Sequence, residues 1–230
     1  MFRQLVLSAA LLATLPAQAG LDDGIDAYNK GDYAKALKEF DAGAKRGEPA
    51  AKHMLASLYF QGHGVGIDQK RAAQLYTEAA EAGYLPAQAN LALMYAGGQG
   101  VPKDSKKEIA YLRQAAEAGD LQSQFNLGQA YRKGEILPRD YAKAVFWYRK
   151  SAEAGSPAAQ NEYGLLFAQG FGVPLDYVQA YAWIDMAANG GTPQSVKNRA
   201  QLLQLLTPEQ LPKAKALAAE YASKYSRPST

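Results

Sequence analysis

Four aspartates stand 36 residues apart, at Asp68, Asp104, Asp140 and Asp176. A column of carboxylates invites a metal or acid–base reading. The surrounding pattern argues otherwise. Each Asp opens an apolar-periodic run, which is where a carboxylate caps the free N–H groups of a helix start. Helix pairs stack on the order of 10 Å apart, so four such carboxylates cannot share one cation or one proton. The two histidines, His53 and His63, are ten residues apart, where a helical metal pair wants i, i+4 and a third ligand. The chain has no cysteine, hence no thiolate nucleophile, thiolate metal site or disulfide. No Gly-x-Ser-x-Gly, Walker-type or His-Glu-x-x-His pattern occurs. Gly97-Gly98-Gln99-Gly100 follows a helical run and precedes Pro102, so it punctuates a repeat and is no phosphate loop. The expectation is a chain without catalysis, metal or cofactor.

The elements behind these residues repeat without a gap. Glu48–Gly83, Tyr84–Gly119, Asp120–Gly155 and Ser156–Gly191 align in register. One column reads Tyr59, Tyr95, Tyr131, Phe167, and another Gly62, Gly98, Gly134, Gly170. A period of this length means stacked supersecondary units. In the second unit Ala87, Leu91 and Tyr95 fall at i, i+4, i+8, one face of a helix. Gly98 then supplies a left-handed stop, and Pro102 forbids continuation. Asp104 caps the second helix, with Ser105-Lys106-Lys107-Glu108 as a competing capping box one residue later. Small pairs such as Ala79-Ala80 and Ser151-Ala152 let helices approach closely.

The ends differ. Asp22–Gly47 is a shorter unit with a tight turn at Gly31-Asp32. After Gly191 come two capping helices, one from about Thr192-Pro193 to Leu206. The other opens at Thr207-Pro208-Glu209-Gln210 and runs to about Tyr225. The fold expected is all-α: a right-handed α-solenoid of helix-turn-helix repeats, about twelve helices, with a C-terminal helical cap over 192–230. Its units are 22–47, 48–83, 84–119, 120–155 and 156–191.

Residues 1–19 read as a secretory signal: Arg3, an apolar run from Leu5 to Leu15, and Ala17-Gln18-Ala19 as a cleavage site. The run is short of the roughly 20 residues that span a bilayer. The expected product starts near Gly20 and is periplasmic or secreted, without a stable membrane anchor. The formal charge of +3 is too balanced for nucleic-acid binding.

Three motifs carry a family resemblance: the Ala-Gln-x-x-Leu-Gly-x-x-Tyr helix, the Gly-x-Gly-Val-x-x-Asp connector, and the Trp147-Tyr148…Ala152-Glu153-Ala154-Gly155 helix. On these the chain resembles the Sel1-like repeat family, relatives of the tetratricopeptide repeat, over about residues 48–191. Glu135-Ile136-Leu137-Pro138 departs from Gly-x-Gly-Val, which reshapes the third connector. The resemblance implies an adaptor that binds another protein, with the first helices lining the concave face. The positions beside the core column there are His53, Ser57, Phe60, Leu93, Phe125, Gln129, Arg132, Asn161 and Leu165. They vary between units while the core holds, and they either bind a peptide segment or helical surface or pack between neighbouring first helices. The alternative function is a carbohydrate-binding accessory for envelope polysaccharide or peptidoglycan, which needs Phe60 and Phe125 exposed.

Overall fold

Most helix starts among the described residues are set by short oxygen-bearing side chains, while those at Pro49, Leu85 and Pro193 lack a side-chain cap. The Asp32 carboxylate accepts the Lys35 N–H at 3.1 Å, Asp68 that of Arg71 at 2.9 Å, and Asp140 that of Lys143 at 3.0 Å. Asp104 takes Lys106 and Lys107, and Asp176 takes Val178 and Gln179. The whole aspartate column is thus engaged in capping. The box at Ser105 is not used: Ser105 is already the first helical residue, under Asp104. The Lys143 N–H, foremost among several contacts, holds the Asp140 carboxyl below its usual range.

Helix ends are set by glycine. Gly62, Gly98, Gly134 and Gly170 all lie at φ between 68° and 76°. Each donates its N–H back to the carbonyl four residues earlier, at Leu58, Met94, Ala130 and Leu166. Side chains other than glycine are strained in that conformation.

The structure is a computed structural model that describes residues 15–225, with side chains from Gly20 onward. The expected signal sequence therefore lies mostly outside the described residues. Twelve helices and no strand occur among those described. They are α1 (Leu15–Asn29), α2 (Tyr33–Lys45), α3 (Pro49–Gln61), α4 (Gln69–Glu81), α5 (Leu85–Gly97), α6 (Ser105–Glu117), α7 (Leu121–Lys133), α8 (Tyr141–Glu153), α9 (Pro157–Gln169), α10 (Tyr177–Asn189), α11 (Pro193–Leu203) and α12 (Gln210–Tyr225). This is the α-solenoid class of helix-turn-helix repeats. None of the described helices is long and apolar enough to cross a membrane.

The chain divides into two compact units between Tyr111 and Leu112, inside α6. In the first, α1 pairs with α2 and α3 with α4, and α2·α3 and α4·α5 join the pairs. Its core runs from Ala27 and Phe40 through Leu55, Leu58, Leu75 and Tyr76 to Leu91 and Tyr95. In the second, α7 pairs with α8 and α9 with α10, while α10 also carries α11 and α12. Tyr148, Leu127, Leu166 and Ile184 are fully buried there. Both units bury the small pairs at the ends of their second helices, including Ala79-Ala80 and Ser151-Ala152.

Each connector is pinned at both ends by the backbone. The N–H of Asp68, Asp104, Asp140 and Asp176 donates to the carbonyl of Tyr59, Tyr95, Tyr131 and Phe167, at 2.9–3.2 Å. The second glycine of Gly-x-Gly lies against the preceding repeat. A Cβ at Gly100 would sit 2.0 Å from the Gln69 carbonyl oxygen, and one at Gly172 2.6 Å from that of Tyr141. The third connector carries Ile136 at this position. Only glycines have positive φ among the described residues, so Ile136 takes another conformation, as its side chain requires.

The cap differs in one boundary. Helix α11 ends at Leu203, not Leu206. Its last turn tightens, with Leu205 N–H bonding Leu202 O, and Thr207 precedes Pro208, which disfavours helix at the residue before it. The capping box at the next start is reciprocal. Thr207 N–H donates to Gln210 Oε1 at 3.1 Å, and Gln210 N–H to Thr207 Oγ1 at 3.3 Å.

Candidate functional site

Helices α3 and α5 lie side by side as the first helices of consecutive repeats. The residues beside their core columns meet across that seam. Asn90 Nδ2 donates to His53 Nε2 at 3.0 Å, and the His53 ring sits between Tyr76 and Tyr84, with centroids 5.3 and 5.2 Å away. Burial lowers the His53 pKa to about 4, so the ring is neutral at pH 7. Its Nδ1 is buried without a hydrogen-bond partner. Below it the Ser57 and Tyr76 hydroxyls bond at 2.8 Å. Burial foremost raises the Tyr76 pKa.

Along this seam runs an open cavity of ≈ 340 Å³. Ser57, Phe60, Tyr76 and Gln61 line it from α3 and α4, and Asn90, Leu93, Met94 and Gln99 from α5 and its connector. Leu93 is 56% exposed there, a large apolar side chain left in water. The Gln61 oxygen accepts the Tyr28 hydroxyl at 2.9 Å. No charged side chain lines the cavity.

The equivalent positions of the second unit are more committed. Arg132 Nε donates to the Tyr148 hydroxyl at 3.3 Å and faces Glu162 Oε2 at 3.5 Å, tying α7 to α8 and α9. Burial pushes the Tyr148 hydroxyl up to about 12. Phe125 is half-buried, its ring 5.7 Å from that of Tyr148. Gln129 and Leu165 are half-buried, the latter against the core under α11 and α12. Asn161 is a correction to the sequence expectation. It is 5% exposed, its oxygen accepts from Asn198 at 2.8 Å and its amide faces Glu162. It packs between α9 and α11 and presents nothing to a partner.

The nine expected residues thus separate by unit. His53, Ser57, Phe60 and Leu93 gather in the first, and Ser57, Phe60 and Leu93 line one cavity. His53 does not line it and touches it only through Asn90 and Tyr76. Sequence reasoning missed Gln61, Asn90 and Gln99. Asn90 was findable, because the residue after the varying column in one repeat meets that column in the repeat before it. Asn198 stands to Asn161 in the same way, also 37 residues on. A second cavity, ≈ 290 Å³, lies between α9, α10 and α12, lined by Pro157, Gln160, Met186 and Tyr225 among others. It contains none of the nine residues expected to bind a partner.

The tyrosines of the repeat columns mostly pack inside: Tyr76, Tyr95, Tyr131 and Tyr148 are buried and Tyr59 is half-buried. Among the described residues no three His, Asp or Glu side chains cluster as metal ligands would. His63 stacks on Tyr33 at 4.4 Å and its Nδ1 meets the Tyr28 hydroxyl at 3.3 Å.

Comparison with known proteins adds three findings. The Sel1 repeat family model matches residues 49–84, 85–120, 121–156 and 157–192. Among solved structures, a protective antigen of uropathogenic Escherichia coli displaying an SLR fold is 35% identical, with a TM-score of 0.81 over 91% of this chain. A Sel1 repeat protein from Oxalobacter formigenes is 34% identical, with a TM-score of 0.70 over 73% of this chain. The chain spans 46% and 49% of those two proteins, about half their length. A third structure, from Klebsiella pneumoniae subsp. pneumoniae, shares the fold at 24% identity, with a TM-score of 0.53 over 81% of this chain and 92% of its own. No curated protein matches.

Proposed function

Because this chain belongs to the Sel1 repeat family, whose members are generally protein-interaction scaffolds, we propose that it is an exported, non-catalytic adaptor. It binds a protein partner through its first-helix faces. The observation that carries this reading is the seam cavity, with Leu93 exposed at its edge beside Phe60 and Met94. An apolar side chain held in water beside carboxamides that are only partly engaged is how an interface anchor looks before its partner arrives. The order of Arg3, the apolar run and Ala17-Gln18-Ala19 supports export to the periplasm or beyond the cell.

Sugar recognition has less support. Phe60 and Phe125 are half-buried, and Phe60 packs on the core of its unit, so neither offers the open ring face that stacking on a pyranose needs.

The test is an affinity capture from an envelope fraction with two baits, the wild-type protein and Leu93→Lys. A protein retained by the first and lost from the second is the expected result. Retention of glycans alone would overturn the reading.

A further inference from the structure

We propose that the cavity between α3 and α5 selects a neutral, extended peptide segment and rejects charged side chains. The proposal rests on the adaptor reading above and narrows the partner to a chemical class.

The lining has two parts. Gln61, Asn90 and Gln99 contribute carboxamides, and Phe60, Leu93 and Met94 an apolar wall. A primary amide donates and accepts, as a peptide group does, so it can pair with backbone whatever the side chain beside it. These amides are not fully used within the protein. Gln61 spends its oxygen on Tyr28, and Asn90 its amide on His53 and the Tyr76 hydroxyl, which leaves the Gln61 amide N–H groups and the Asn90 oxygen. The Gln99 carboxamide has no side-chain hydrogen bond among the described residues, and its backbone N–H bonds Met94 O. Backbone groups of a helix are already paired with one another, so only an extended segment has donors and acceptors to offer. A helix, about 10–12 Å across, also suits a long groove better than a cavity of ≈ 340 Å³. That volume sits near the lower end of small-ligand pockets, about 300–1,000 Å³, and suits one apolar side chain with its flanking peptide groups.

Selection against charge follows from what is missing at the lining. With no Lys, Arg, Asp or Glu there, an incoming charged side chain loses water and gains no counter-charge. A glycan fits less well, because Tyr76 is 4% exposed and shows no ring face.

The experiment titrates full-length protein with millimolar probes and follows backbone amide resonances. The probes are N-acetyl-leucine N-methylamide, its aspartate and lysine counterparts, and N,N′-diacetylchitobiose. The leucine probe should shift the Leu93 and Gln99 amides, with the charged probes at least about tenfold weaker. Leu93→Lys and Gln99→Ala change exposed residues, so both fold, and each should reduce the leucine response. Equal binding of the charged probes, shifts caused by chitobiose instead, or no response near the cavity would each overturn the selectivity. If the Leu93→Lys bait still captures its protein partner while the probes fail, this inference falls and the adaptor reading stands on another face. If the wild-type bait captures no protein either, both fall.

Discussion

His53 couples packing to pH. Its folded pKa of about 4 lies below the ordinary 6.5, because burial penalises the charged ring. The unfolded chain therefore takes up the proton first as pH falls. The stability tied to the neutral ring is complete above about pH 6.5 and is lost progressively toward pH 4. After a discount for partial exposure the loss is roughly 2 kcal/mol. Urea unfolding at pH 7 and pH 4.5 should show it in the wild type, with a flatter dependence in His53→Gln. Identical pH dependence in both would mean the ring is not buried as described. The connector glycines separate two costs at the same scale. Gly98→Ala meets positive φ with its nearest neighbour at 3.5 Å, a strain of roughly 1–2 kcal/mol. Gly100→Ala adds a collision with the Gln69 carbonyl at 2.0 Å, hence a further overpacking cost of about 1–3 kcal/mol. Thermal unfolding of the pair should rank them in that order.

At the scale of the helix, caps and stops act independently of the core. Asp176→Ala removes the acceptor for two N–H groups at the start of α10 and should cost about 1 kcal/mol. Denaturant titration measures it, and an unchanged midpoint would show that water replaces the cap without loss. These signals were legible in the sequence because they are local. An aspartate before a periodic run and a glycine after it speak for themselves. The lateral contacts were harder to read. Gln124 Nε2 donates to Ala116 O and Gln160 Nε2 to Ala152 O, which ties each first helix to the end of the helix before it. The period reveals that the glutamine recurs, but not what it reaches. The site was half-legible for the same reason. The varying column located Ser57, Phe60 and Leu93, while Asn161 carries the same positional mark and is consumed by Asn198. Whether such a residue faces water depends on the offset between neighbouring repeats, which no single repeat encodes.

At the scale of the whole chain, the proposal of export has its own test. Protein recovered from a periplasmic extract should have an intact mass that starts near Gly20, and recovery there with Met1–Ala19 attached would contradict it. Tyr95→Ala gives the contrast to the surface variants. It empties a buried position and should lose roughly 3–5 kcal/mol, whereas Leu93→Lys should unfold with the wild type, since exposed changes cost little. A Leu93→Lys protein that melts early would remove the seam from consideration as a surface. The backbone bond from Asp68, Asp104, Asp140 and Asp176 to the tyrosine or phenylalanine nine residues earlier has a practical consequence. It closes the loop at its base, so the tip need not hold the helices in place. The third tip already carries Glu135-Ile136-Leu137-Pro138 in place of the glycine pattern, and the bond from Asp140 to Tyr131 survives at 3.0 Å. That tip is where a foreign epitope or reporter could be grafted while the paired helices keep their register.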